Sequence, residues 1–245
     1  MLRARRVAST RRRAVSPVIS TVIITATLLI ILVVATALAS SMLEIQLQNL
    51  EFEQAKTTMM ALDKVIAEVS LRPGAASSVQ FNQRSGGVGV YRGGNMIIRV
   101  YNDQNKVLEL SDATYVVKYR GGSMVSAAPT DLRGSDELVV DATKSLGYVR
   151  VEVENGAWIV LDYSRMRVSS NPSLGTVDVF VLLLRPGTFG GAGMVTVKVQ
   201  NKDVRTWVCQ GNLIEVEVDG RSQYLQFGSP LSVRITEVVV EVSIT

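Results

Sequence analysis

Residues capable of nucleophilic or metal chemistry are scarce in this chain. Its 245 residues include no His and a single Cys, Cys209. That excludes imidazole-based nucleophile pairs, Cys/His zinc sites and any disulfide within the chain. Asp136-Glu137 comes nearest to a paired-carboxylate hydrolase. Neighbours on a strand point to opposite faces, however, so the pair reads as solvent charge and a turn. Asn102-Asp103-Gln104-Asn105 offers the oxygens calcium takes but lacks EF-hand spacing, and fits a turn. The glycines of 85–94 and of 185–193 suggest phosphate cradles. Neither run has P-loop or dinucleotide spacing, and no helix follows the first. Both are expected to be loops, the second an exposed tip. Cys209 alternates with Val208 and reads as a small buried strand residue. No catalytic residue, metal or cofactor is assigned, and the chain is read as not an enzyme.

Charge narrows the partners. Lys and Arg number 26 against 22 acids, for a net +4. Arg3, Arg5, Arg6, Arg11, Arg12 and Arg13 all fall in the first 14 positions, where there is no acid. Without them the side chains carry an excess of two acids. The remaining bases are scattered among acids and form no stripe that would track phosphates, so no nucleic-acid partner is expected. With 47% apolar and 20% charged residues, the chain has the composition of one that folds.

The elements that organise these residues begin at the N-terminus. Between Arg13 and Glu44 lie 30 positions without a charge. As a helix they would extend about 45 Å, enough for a hydrocarbon layer of about 30 Å. The arginines on one side predict a cytoplasmic N-terminus, with residues 44–245 outside. From Leu43 an amphipathic stripe continues through Leu47, Leu50, Ala55, Met59, Leu62, Ile66 and Val69. Glu44, Glu51, Glu53, Lys56, Asp63, Lys64 and Glu68 fill its other faces. Arg72-Pro73-Gly74 should stop the helix. Small and hydroxyl pairs at Thr21/Thr25, Ala35/Ala39 and Ala37/Ser41 have the spacing of close helix packing. The same hydroxyls could equally bond their own preceding turn.

Three readings of this segment are open on its pattern. It could be an uncleaved signal anchor, or a secretory signal peptide cut after Ala37-Leu38-Ala39, before Ser40. The third rests on a resemblance. The run Arg11-Arg12-Arg13-Ala14-Val15-Ser16-Pro17-Val18-Ile19-Ser20-Thr21-Val22-Ile23 resembles the class III leader of archaeal type IV pilins. In that family a basic leader ends in a charged and a small residue, before an apolar helix opening with Ser-Pro-Val-Ile. The resemblance implies that a prepilin peptidase cuts after Arg13-Ala14, leaving Val15 first and Ser16, Pro17, Val18 and Ile19 as the helix signature. It covers residues 11–43. Bacterial type IV pilins carry Glu at the fifth mature position, here Ile19; archaeal members often lack it.

Beyond Gly74 short Val-, Ile- and Tyr-rich runs alternate with Gly, Asn, Asp and Pro. Strands are expected at 96–101, 114–119, 137–141, 148–154, 157–163, 176–184, 194–201, 205–210, 213–218 and 221–227, with a last run at 231–245. Asn155-Gly156 and Asp219-Gly220 have the composition of type I′ turns. A two-residue loop at the first would pair Val153 with Trp158 and Val151 with Val160. The last run alternates in two phases, which predicts a bulge or change of sheet near Thr236-Glu237. The expected fold is α+β: a long N-terminal helix and then an all-β, sandwich-like domain. Its divisions would be a leader at 1–14, a helix at 15–72 and a head at 75–245 that owns its core independently.

Taken with the resemblance, this organisation implies a structural subunit of an extracellular archaeal type IV pilus-like filament. Thr21, Ile24, Thr25, Leu28, Leu32, Ala35 and Ala39 would pack its core. The implied partners are copies of the chain, the prepilin peptidase, the pilus-assembly machinery and, before assembly, the membrane. A membrane-anchored accessory pilin or a surface β-domain that binds a partner is the alternative. An anchored exoenzyme comes third.

Overall fold

A single helix, α1 (Pro17–Ser70), opens the computed structural model, which describes residues 17–191 and 193–245. Arg13, Ala14, Val15 and Ser16 lie outside the described residues. Pro17 suits a helix start, where its missing N–H would have no partner in any case. At the other end Gly74 takes a φ of +76°, a conformation that favours glycine. The Asn201 side-chain amide donates to the carbonyls of Val69 and Ser70, both at 3.3 Å, so the last turn is capped from the sheet.

Strands follow in the order β1 (Ala76–Gln83), β2 (Gly87–Asn102), β3 (Asn105–Arg120), β4 (Thr130–Arg133), β5 (Val139–Asp141) and β6 (Tyr148–Val153). The rest are β7 (Ala157–Asp162), β8 (Met166–Asn171), β9 (Thr176–Phe189), β10 (Gly193–Val218) and β11 (Arg221–Ile244). The expected α+β class holds: a long apolar helix precedes a mostly-β body, with 24% helix and 57% strand overall. All eleven strands hydrogen-bond into one sheet, in the order β4-β6-β7-β3-β2-β10-β11-β9-β8-β5, with β1 added to β10. β9–β11 and β5–β8 pair in parallel and every other pair is antiparallel. Two separate sheets, as a sandwich would have, are not needed because the long strands serve two cores in turn.

Those cores sit on opposite faces. Val233 and Ile235 of β11 join Val177, Val179 and Val181 of β9 and Ile98 of β2 in one. Val238, Val240, Val242 and Ile244 of the same strand join Val195, Val197 and Val199 of β10 in the other. The two phases of the last run therefore reflect an exchange of buried face. β11 itself carries no bulge near Thr236, since it keeps register with β9 from Ser232 to Val242. The β10–β11 register shifts at Asn201/Asp203, where β10 carries the extra Lys202 opposite Val240/Val239, and at Gly211/Leu213, where β11 carries residues 227–230 against Asn212. Across both, three expected strands of β10 run on as one.

Several local expectations differ. In the β6–β7 hairpin Val153 pairs with Ala157 and Val151 with Ile159, so Trp158 and Val160 face the other way with Glu152. The loop holds one more residue because Glu154 N–H donates to the Gly156 carbonyl with Asn155 at φ 52°. Asp219-Gly220 does make a two-residue turn, with positive φ at both positions and Val218 opposite Arg221. The glycine runs expected to be loops are largely strand, in β2 from Gly87 and in β9 up to Phe189. At Gly187 a Cβ would strike the Ser243 hydroxyl, so glycine there permits close strand approach. Cys209 is half-buried.

The chain divides into compact units at Gln46/Leu47. Sequence placed the boundary after residue 72, but Phe52, Ala55, Met59, Leu62 and Ile66 belong to the core that holds β1, β3, β6, β7 and the end of β11. The second half of α1 is part of the β body.

Candidate functional site

Two stretches of α1 carry the functional argument, and they differ in what surrounds them. From Val18 to Leu43 every Val, Ile, Leu and Met is more than half exposed. The helix is long and apolar enough to cross a membrane, and its most apolar window has no buried residue. Among the expected packing residues, Ile24, Leu28 and Leu32 are exposed, as are Thr21, Thr25, Ala35 and Ala39. So are Val18 and Ile19 of the signature; Pro17 begins the helix. Thr25 donates to the Thr21 carbonyl at 2.9 Å, Thr27 to Ile23 and Thr36 to Leu32, both at 2.8 Å. These hydroxyls cover their own polar hydrogen on the helix, as groups must where no water is available. The bonded hydroxyls leave helix faces of mixed small and apolar character.

From Leu47 to Ser70 the helix lies on the sheet through an apolar stripe and buried polar anchors. The Glu51 carboxylate accepts from Ser85 Oγ at 2.6 Å, Tyr119 Oη at 2.8 Å and the amides of Ser85 and Gly86. Burial raises its pKa, but Ser85, Tyr119 and Gly86 together outweigh that and hold it below the usual carboxylate value. Burial, and then the Glu51 carboxylate, raise the Tyr119 hydroxyl in turn. Its ring lies between Phe52 and Phe81, with centroids at 6.5 and 6.2 Å. One turn before, Gln48 Oε1 accepts from the Met124 amide at 3.0 Å. Three turns on, Asp63 accepts from Tyr163 Oη at 2.5 Å and pairs with Arg133 at 3.1 Å. Gly147 faces Asp63 so closely that any Cβ would collide with the carboxylate.

Sequence reading placed Glu51 and Asp63 on outer faces and Leu50 on the apolar one. The structure reverses this: Glu51 and Asp63 are buried and Leu50 is exposed. The sheet-facing stripe runs through Gln48, Phe52, Ala55, Met59, Leu62 and Ile66, and charges beside it are buried with their donors. The spacing of Phe52 to Ala55 to Met59 was the available signal, and it excludes Leu50.

Two other concavities are less promising. One of about 240 Å³ lies between the end of α1 and the sheet, lined by Asp63, Arg133, Leu146, Tyr163 and Phe180. It is bounded by the same anchors that seat the helix. A second of about 240 Å³ gathers Arg92, Lys118, Arg150, Arg165 and Arg221. Asp136 and Asp162 within it pair with Arg221 and Arg150, at 2.9 and 3.5 Å, which offsets much of its charge. Among the described residues no three His, Cys, Asp or Glu side chains come together as metal ligands. Comparison of the chain with family models, with curated proteins and with solved structures finds no match in any of the three.

Proposed function

We propose that the chain is a structural, non-catalytic subunit of an extracellular type IV pilus-like filament of the archaeal kind. A prepilin peptidase removes residues 1–14 at the cytoplasmic face. The mature chain waits in the membrane with its β body outside. Assembly machinery in the membrane then passes it into a helical polymer of like chains, packed through residues 15–46. The observation that carries this reading is one juxtaposition: Arg13-Ala14 and the run Ser16-Pro17-Val18-Ile19 lead in sequence into a helix whose Val, Ile, Leu and Met side chains are all exposed from Val18 to Leu43. Such a surface is satisfied by lipid, and outside lipid by sister helices.

The first residue of the mature chain tests it. Intact-mass measurement of material isolated from the native cell should give Val15. Met1 would leave a plain anchor, and Ser40 would make the chain a secreted protein. Arg13→Glu or Ala14→Leu should block the cut, because each destroys the charged or small residue expected at the junction.

A further inference from the structure

β10 has an unpartnered edge in the middle of the sheet. On the side away from β11 it pairs with β1 as far as Gln200 and with β2 from Leu213. The Asn201 amide donates to Ala75, and Gly211 lies against the Tyr101 backbone, so both ends of the gap are closed. Between them, Lys202–Gln210 has no backbone partner on that side among the described residues. Every residue in this window is exposed apart from half-buried Trp207 and Cys209. A free strand edge is a template for another strand, and proteins usually blunt one with Pro, inward charge or a bulge. Here the bulges fall only at the two ends, and the centre holds Val204, Thr206, Trp207 and Val208, all good strand formers.

We infer that this window is a pairing surface for the same window of a second copy, antiparallel about a two-fold axis through Thr206. Thr206 is the midpoint of the free window, so this register overlaps all nine residues. Val204 then faces Val208 twice, which covers the exposed apolar stripe. Arg205 meets Trp207 on the other face, a cation-over-ring arrangement. Lys202 lies opposite Gln210 and Asp203 opposite Cys209, so no like charges oppose one another. The contact is isologous and closes on itself, so it pairs two copies and does not propagate a filament. It draws on the β body alone and stands independently of the filament reading. Nine residues of strand pairing bury less than the roughly 1,200 Å² of a stable dimer, so the pairing should be weak and concentration-dependent.

Cross-linking the full chain in detergent tests the register. Thr206→Cys in a Cys209→Ser background, treated with a short bis-maleimide, should give a band of doubled mass. Lys198→Cys in that background should give several-fold less, since β1 covers the edge there although the side chain is exposed. Adding Val204→Lys and Val208→Lys should cut the Thr206→Cys product by about five-fold through like-charge opposition. Mixing that chain with a partner that carries Val204→Glu and Val208→Glu together with the same Thr206→Cys and Cys209→Ser should restore it. Equal cross-linking at 198 and 206, none at 206, or indifference to the lysines would overturn the inference.

Discussion

Glu51 and Glu237 are both buried carboxylates, and their surroundings push their protonation in opposite directions. Hydrogen bonds hold the folded pKa of Glu51 below its ordinary 4.5. Its stabilising contribution is therefore complete above that value and fades as pH falls through the lower folded one. Glu51→Gln should cost about 1–3 kcal/mol at neutral pH, because the amide meets donors on every side. Denaturant titrations should show the gap to wild type closing below the ordinary 4.5. Glu237 is the converse. Burial raises its pKa, Asp112 adds to this, and Arg205 opposes it from 3.7 Å, too far for a hydrogen bond. Its Oε1 has no hydrogen-bond partner among the described residues. A raised folded pKa means the contribution is favourable below the unfolded value and lost as pH rises through the folded one. Glu237→Gln should accordingly raise Tm at pH 7 by a few degrees, about 1 kcal/mol, and by less near pH 4. A lower Tm at pH 7 would show that the carboxylate has a stabilising partner.

At the scale of elements, the second half of α1 decides what can fold. Phe52, Met59, Leu62 and Ile66 are essentially fully buried against the sheet. Each such side chain stabilises by about 1.5–3 kcal/mol, so losing four approaches the whole 5–15 kcal/mol of an ordinary domain. A fragment beginning at Leu47 should unfold cooperatively, whereas one beginning at Ala75 should be aggregated or lack a melting transition. Circular dichroism during heating separates the two, and a cooperative 75–245 fragment would refute the argument. The helix itself was legible because an uncharged run and a helical stripe both follow from local sequence. Its sheet-facing side was less so, because Glu51 and Asp63 are satisfied there by partners far along the chain, Ser85, Gly86 and Tyr119 for the first and Arg133 and Tyr163 for the second. The breaks read within β10 have a similar origin. Asn201-Lys202-Asp203 and Gly211-Asn212 have turn composition, and bulges draw on the same residues as turns. The two phases of β11 were visible, but only the second core shows why both are buried. Hairpin register failed at Asn155-Gly156 by one residue, which a dipeptide signal does not determine.

For the whole molecule, the test is whether the exposed part of α1, long and apolar enough to cross lipid, would serve as an anchor alone or would also join copies together. The two roles respond differently to one charge. Ile24 and Leu32 lie within the uncharged run, and both are exposed. A single Asp near the middle of a span costs about 2.5–3.5 kcal/mol of insertion energy, which a long run of Ile, Leu and Val outweighs. Ile24→Asp or Leu32→Asp should therefore leave the chain in the membrane fraction at close to the wild-type level. Packed among sister helices, the same carboxylate would be buried in every subunit without a cation, and the cost repeats at each one. Filaments should then be absent from sheared surface material in negative-stain electron microscopy. Ile24→Ala, which removes bulk without adding charge, should thin their number and not abolish them. Gly190→Ser lies in an exposed loop where an added Cβ meets nothing within 4 Å, and it should have no effect. Filaments that persist with either Asp variant, or that never contain this chain, would leave residues 17–46 as an anchor alone and make the β body a surface-bound module.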